Sequence, residues 1–350
     1  MVSTWHYDKK IRIGYVPMTD CATLIASEAL NLFQKYDLQV ELVREPGWAT
    51  VREKMLNSEL DAAHAPASMV FEMTCGLGVV PSATVTGFVM ALNGNAITLS
   101  NELWNMGVRD ASTLKKVVHQ NKNKRKFTFA GVLNYSSQHY QMRKWLRSAN
   151  IDPDNDVRIA IVPPPLVFSN LEKGFLDGYC VAEPWNSIGI TQGQGWCATL
   201  SCQLDPGHVE KIFMVRADFD EKHRSEHLRL ICVLMDAAKY CDNPENRESL
   251  VEILSSPQYL SVTKKALRSA LVGPFDMGKG RTANAENAIT FHKNNACVPN
   301  ERKCRWVLEE IMGNHLEKGK RKEMEQAISR VFREDIFYEA KALHKKMNEK

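Results

Sequence analysis

The sequence lacks the glycine-rich signatures of nucleotide-binding proteins. Its 350 residues contain neither the G-x-G-x-x-G pattern of dinucleotide sites nor the G-x-x-x-x-G-K-[S/T] pattern of phosphate-binding loops. H-E-x-x-H, a nucleophile elbow and a Ser/His/Asp order are also missing. These absences disfavour a dinucleotide or a triphosphate as the ligand, and they give no reason to expect an enzyme.

Long apolar runs and a strong charge imbalance are also missing. The net charge is only +4 at neutral pH, and 44% of the residues are hydrophobic. We therefore expect a globular protein with no membrane span and no direct contact with nucleic acid. Lys122–Lys126 is the one basic block. It predicts a solvated loop, with a partner contact as the alternative.

Paired cysteine motifs are absent too. The nine cysteines are odd in number and scattered, with no C-x-x-C. This pattern favours free thiols in a reducing compartment over a disulfide framework. A metal site at Cys197 and Cys202 would need more ligands than the sequence places near them, so we expect buried thiols there. We expect neither a metal nor a cofactor. Met1–Lys10 carries no apolar signal segment, which is expected either of a cytoplasmic protein or of one whose leader has been removed. The unpaired cysteines favour a cytoplasmic protein.

Alternating strands and helices dominate what is present. A strand over 10–16, a helix over 21–34 and a second strand over 38–44 form a β-turn-α-β opening. Strand and helix patterns alternate again between 101 and 200, and a strand returns at 211–215. This order predicts an α/β protein of two lobes with a ligand cleft between them. Lobe one comprises 1–100 and 205–350, and lobe two comprises 101–204.

Candidate ligand-binding side chains in lobe one follow its predicted strands. Trp48 and His64 each lie just past a strand, at the edge where open α/β sheets bind small ligands. An aromatic wall and an imidazole suit a small planar anion, although a single histidine at a strand end can also be purely structural.

Three polar residues at a predicted helix start are the candidates in lobe two. Ser136, Ser137 and Gln138 would add side-chain donors to the free N–H groups of that helix. The alternative is simple N-capping by one of the serines. Glu183 would repel an anion, so we expect it to accept backbone hydrogen bonds instead. Lys279 lies in a glycine-punctuated loop and is either a cation over the cleft or part of an exposed turn.

The chain from about 10 to 340 resembles the nitrate-binding, bicarbonate-binding and nitrate-sensor branch of the periplasmic-binding-protein superfamily. The segments that carry the resemblance are Pro17–Ala22, Leu42–Trp48, Asp61–Pro66, Leu92–Ile97, Gln138–Leu146 and Gly178–Asn186. The resemblance implies a two-lobe fold of type II, and it implies that Trp48, His64 and Gln138 contact the ligand. Ser136, Ser137 and Lys279 are weaker candidates.

Three functions are compatible with this resemblance. The first is a cytoplasmic nitrate or nitrite sensor, whose implied partner is an RNA-binding antiterminator of nitrate-assimilation genes. The alternative is the solute-binding receptor of an ABC transporter for nitrate, nitrite or bicarbonate. The third is an enzyme similar to thiamine-pyrimidine synthases, which the absence of clustered cysteines disfavours.

Overall fold

Two β-sheets form the frame of the protein. The computed structural model describes residues 10–284, 286–314 and 318–349. The first sheet has the strand order β13-β4-β10-β3-β1-β2 and the second has the order β7-β6-β8-β5-β9. The strands are β1 Ile11–Tyr15, β2 Val40–Arg44, β3 Ala62–Pro66, β4 Thr84–Asn93, β5 Asn95–Ser100, β6 Thr128–Gly131, β7 Arg158–Ile161, β8 Gly178–Ala182, β9 Gly195–Leu200, β10 Val209–Arg216, β11 Phe275–Gly278, β12 Arg281–Ala283 and β13 Ile289–Thr290.

Helices connect the strands and form much of the second half of the chain. They are α1 Ala22–Ala29, α2 Leu32–Lys35, α3 Trp48–Leu56, α4 Met69–Cys75, α5 Asn101–Asn105, α6 Ala111–Asn121, α7 Ser137–Ser148, α8 Pro164–Glu172, α9 Trp185–Thr191, α10 Ser201–Leu204, α11 Ala217–Lys222, α12 Arg224–Asp242, α13 Arg247–Ser255, α14 Lys264–Leu271, α15 Glu301–Asn314, α16 Arg321–Val331 and α17 Glu334–Asn348. Within the described ranges, no helix combines the length and the apolar character needed to cross a bilayer.

Each sheet combines parallel and antiparallel pairs. β1 pairs in parallel with β2 and β3, while β10 runs antiparallel to both β3 and β4. In the second sheet β6 is parallel to β7 and β8, and β5 is antiparallel to β8 and β9. The α/β class and the type II two-lobe architecture predicted from the sequence are confirmed.

The chain crosses between the sheets at Asn93–Asn95. Gly94 has φ +101° there, a backbone conformation that favours glycine because it has no Cβ. β5 already belongs to the second sheet, so the lobe boundary placed at residue 100 lies several residues too late. The chain returns to the first sheet between α10 and β10.

Two elements near the first sheet begin later than their sequence patterns suggest. Pro66 is typical of a first helical position, but α4 begins at Met69, because Pro66 still pairs with Lys211 of β10. The apolar pattern over 79–88 predicts a strand, and the strand observed is β4, which is displaced towards the C-terminus. One hydrophobic cluster extends across both lobes, from Trp48 and Met69 to Tyr140 and Val181. The two sheets therefore share a packed interface.

Candidate functional site

A buried pair of opposite charges marks the junction of the two lobes. Glu210 and Lys211 are consecutive on β10, and both side chains are fully buried. In a regular strand they would point to opposite faces. The pairing of β10 with β4 shifts register on either side of Lys211, and such bulges redirect side chains. Here Nζ of Lys211 contacts Oε1 of Glu210.

The side chain of Lys211 also contacts the polar turn that follows β1. Its Nζ lies 2.8 Å from Oδ2 of Asp20, whose Oδ1 lies 2.9 Å from Nε2 of His64. The indole ring of Trp48 completes this side, 5.3 Å from Lys211 Nζ and 5.2 Å from the imidazole ring. Lobe one thus presents an ammonium, an imidazole and an indole in one buried place.

Lobe two reaches the same place through Glu210. Gln138 Nε2 donates to Oε1 of Glu210 over 2.6 Å and to Oδ1 of Asn95 over 3.1 Å. Ser137 Oγ and Asn95 Nδ2 donate to Oε2 of Glu210. The amide of Asn95 also donates to Oε1 of Gln141 over 3.0 Å. The carboxylate of Glu210 therefore holds the start of α7 and the start of β5 against lobe one. We call Asp20, Trp48, His64, Asn95, Ser137, Gln138, Gln141, Glu210 and Lys211 the junction cluster.

The charges of the junction cluster stabilise one another. Burial alone would raise the pKa of Glu210, but Lys211 and His208 outweigh it and lower that pKa to about 2. Burial alone would lower the pKa of Lys211, yet Asp20 and Glu210 hold it above its usual value. Lys211 is therefore a permanent cation. Burial lowers the pKa of His64 against the opposing effect of Asp20, so its imidazole is neutral at pH 7.

Several buried polar atoms of the cluster have no hydrogen bond of good geometry to the residues described. They are Trp48 Nε1, Gln141 Nε2, both ring nitrogens of His64 and both carboxylate oxygens of Asp20. Most buried polar groups in proteins are paired, because an unpaired one costs about 1–3 kcal/mol. Such a concentration at one lobe junction indicates a place built for a polar ligand.

The structure brings together four of the six residues predicted as ligand contacts. Trp48, His64, Ser137 and Gln138 all belong to the junction cluster. Ser136 caps α7 instead: its Oγ accepts from His139 N over 3.3 Å and donates to Leu133 O over 2.7 Å. Of the two roles left open for this serine, capping is the one observed.

The structure does not bring Lys279 to the junction. This residue forms the exposed turn between β11 and β12, with φ +58°. Its Nζ lies 5.8 Å from the ring of Trp104 on α5. The expectation of a cation over the cleft is therefore wrong, because the hairpin packs beside β9 at the edge of the second sheet.

Glu183 links the lobes mainly through its backbone, as expected for a residue that accepts hydrogen bonds rather than binding an anion. Its carbonyl oxygen accepts from Thr19 N over 2.8 Å and from Thr19 Oγ1 over 3.0 Å. Its carboxyl Oε2 accepts from the backbone N–H of Ser187. Burial raises the pKa of this carboxyl to about 7.

The residues that carry the charge of the site are not among the candidates predicted from the sequence. Asp20 lies in the segment Pro17–Ala22, which carries part of the family resemblance. Glu210 and Lys211 precede the apolar run Ile212–Val215, and two charged residues in a buried strand are a usable signal. No three His, Cys, Asp or Glu side chains within the described ranges are grouped as they would be to hold a metal.

Known proteins are similar in sequence to this chain over most of its length. The model of the NMT1-like family matches residues 6–255. The nitrate/nitrite binding protein NrtA of Synechococcus elongatus is 30% identical over 345 residues, covering 95% of this chain and 77% of that protein. The nitrate import ATP-binding protein NrtC of Synechocystis is 33% identical over 94% of this chain. The present chain spans 49% of that relative.

A solved structure agrees with the fold over nearly the whole chain. The periplasmic nitrate-binding protein NrtA from Synechocystis superposes with a TM-score of 0.88 at 26% identity, covering 95% of this chain and 88% of that one. The chain spans about half or less of the first curated relatives that it matches, so their whole activities and partners do not transfer directly.

Proposed function

This chain belongs to the NMT1-like family, and from that premise we propose that it binds nitrate or nitrite at the junction cluster as the solute-binding component of an ABC importer. The relatives that support this proposal are named as nitrate-binding or bicarbonate-binding proteins, or as ATP-binding parts of such importers. Among them, the NrtA proteins are named as nitrate/nitrite-binding or nitrate-binding proteins.

One observation carries the proposal: a fully buried lysine stands beside unpaired N–H donors where the lobes meet. Lys211 supplies a positive charge, and the indole N–H of Trp48 and the amide N–H of Gln141 have no hydrogen-bond partner among the described residues. Nitrate is planar, singly charged and able only to accept hydrogen bonds. A site for it needs such donors and one cation, and it gains most from them when water is excluded.

Isothermal titration calorimetry with nitrate, nitrite and bicarbonate tests this proposal, with chloride as the control anion. We expect one site per chain for nitrate or nitrite, and a melting temperature that rises with ligand concentration because only the folded state binds. Absence of heat and of any thermal shift with all three oxoanions would refute the proposal. A response to bicarbonate alone would change the proposed ligand to bicarbonate and leave the proposed solute-binding function standing.

A cytoplasmic nitrate sensor is the second candidate, and the thiols favour it. All nine cysteines are free, and eight of them are buried. Free thiols in this number suit a reducing compartment. Such a sensor would act on RNA only through a partner, for which an RNA-binding antiterminator is the candidate.

Affinity purification from cells grown with and without nitrate separates the two functions. Recovery of a permease or an ATPase supports the importer. Recovery of an RNA-binding protein that nitrate releases on size-exclusion chromatography supports the sensor.

A further inference from the structure

The junction cluster carries more negative than positive charge before any ligand is considered. Asp20 and Glu210 contribute carboxylates, and Lys211 contributes an ammonium that contacts both of them. His208, which is also buried, lies outside the cluster and places Nδ1 2.9 Å from Asp205 O and Nε2 3.3 Å from Glu210 Oε2. Within the cluster, two carboxylates therefore face one ammonium.

An entering anion adds to this negative charge at a buried place, where solvent screens charges little. Uncompensated charge in a buried site is strongly destabilising. Lys211 already contacts two carboxylates, so the neutral imidazole of His64 is the group that can supply a further positive charge.

The geometry of His64 also favours a second proton on its ring, independently of the net charge of the cluster. Its Nε2 faces Oδ1 of Asp20 at 2.9 Å, so the single proton of the neutral ring belongs on Nε2. Nδ1 is then a bare acceptor, and it is buried without a partner. An acceptor cannot bind a nitrate oxygen, whereas a protonated Nδ1 is a charged donor beside the indole ring of Trp48.

We propose that His64 takes up one proton from solvent onto Nδ1 when a singly charged anion binds at the junction cluster. This inference rests on the proposed function and adds to it that anion affinity depends on pH through one named residue. The groups acting on His64 are Asp20 from the turn after β1, and Glu210 and Lys211 from β10.

The helices packed over β3 contribute no unmatched charge next to His64. Arg52 on α3 and Glu72 on α4 pair with each other, and Lys54 on α3 pairs with Glu45. Glu53, also on α3, is exposed and lies 3.6 Å from Arg52. The pH dependence is therefore assigned to His64 itself rather than to a neighbouring group on these helices.

Calorimetry of nitrate binding in two buffers of different ionisation enthalpy measures the proton count directly. Nitrate is the right probe because it carries no proton of its own near neutral pH. At about pH 8, where a free histidine is neutral, we expect the native protein to take up close to one proton per nitrate. The dissociation constant should then rise by up to about tenfold per pH unit above neutrality.

Three variants test whether His64 is the residue that takes up the proton. His64→Gln keeps a neutral donor for Asp20, and we expect it to bind nitrate more weakly, with almost no proton uptake and a flat pH profile. His208→Gln should retain the uptake. His119→Gln, on the exposed surface of α6, should change neither property. Each variant is first checked for native melting and circular dichroism, and the two-buffer measurement on the native protein requires no variant.

The outcomes separate this inference from the function on which it rests. Nitrate binding without proton exchange, or with proton release, would overturn the coupling and leave the anion-binding function standing. Uptake that survives His64→Gln but disappears in His208→Gln would overturn the assignment to His64. Absence of binding with every oxoanion would refute the proposed function itself.

Discussion

Trp48 provides a single polar atom inside an otherwise apolar surface. Its ring is fully buried at the start of α3, and Nε1 has no partner among the residues described. Packing and the proposed ligand contact therefore involve different parts of one side chain, so a substitution can separate the two.

Trp48→Phe removes the N–H donor but keeps an aromatic ring. We expect nitrate affinity to fall about tenfold to a hundredfold, since a hydrogen bond to an anion is worth about 1.5–3 kcal/mol. Stability without the anion should change little, because the lost donor is unpaired. Titration calorimetry and thermal melting measure the two quantities. Trp104→Phe, on α5 of lobe two and outside the junction cluster, is the matched control. Equal affinity in both variants would remove Trp48 from the site.

Glu183 makes the stability of the protein depend on pH. Burial raises its pKa from 4.5 to about 7, so the folded state holds a proton that the unfolded state releases. Its contribution is fully present below about pH 4.5 and is lost as the pH rises through about 7. Glu183→Gln should therefore match the native protein at low pH and be more stable above pH 7, by roughly 3 kcal/mol.

Urea unfolding at about pH 5 and about pH 8 checks this pH dependence. Glu221→Gln, at an exposed position on α11, is the control. Its free energy of unfolding should equal that of the native protein at both pH values. A stabilisation of Glu183→Gln that is the same at both pH values would contradict the proposed titration.

At the scale of elements, the start of α7 places a capping residue next to two proposed ligand contacts. Ser136 satisfies the backbone at the helix start, while Ser137 and Gln138 turn towards Glu210. Ser136→Ala should lower the free energy of unfolding by about 1 kcal/mol and leave nitrate affinity within twofold. Thr263→Ala removes a comparable cap from α14, away from the junction. A large loss of affinity in Ser136→Ala alone would return this serine to the site.

Local sequence patterns predicted the elements better than they predicted the site. The polar residues at 136–138 placed the start of α7 correctly, because a helix start depends on local turn residues. His64 was expected just past a strand, but it lies within β3. Lys211 could not be placed in the same way. Its burial depends on a bulge between β10 and β4 and on Asp20, which lies far away in the sequence. The expectation for Lys279 was wrong because the sequence of an exposed glycine-rich turn does not determine which surface that turn packs beside.

At the scale of the whole molecule, binding depends on how the two lobes meet. The chain crosses between the sheets near Gly94 and again before β10, and Lys211 and Glu210 stand just after the second crossing. Contacts of Glu210 with Gln138 and of Thr19 with Glu183 join the lobes on two sides of the junction. The free energy of closure therefore enters the anion affinity directly, because a ligand held by both lobes favours the closed arrangement.

Thr19→Val tests this coupling without touching any group proposed to contact the anion. It removes the hydroxyl donor to Glu183 O and keeps the backbone donor and the side-chain volume. We expect the dissociation constant for nitrate to rise roughly fivefold, corresponding to about 1 kcal/mol of interlobe hydrogen bonding. Small-angle scattering should show a larger radius of gyration for the ligand-free variant. Thr23→Val, at a buried threonine of α1 whose Oγ1 has no partner within the described part of the chain, is the matched control. If both variants bind nitrate like the native protein, this hydrogen bond does not contribute to closure, and the affinity is set by the junction cluster alone.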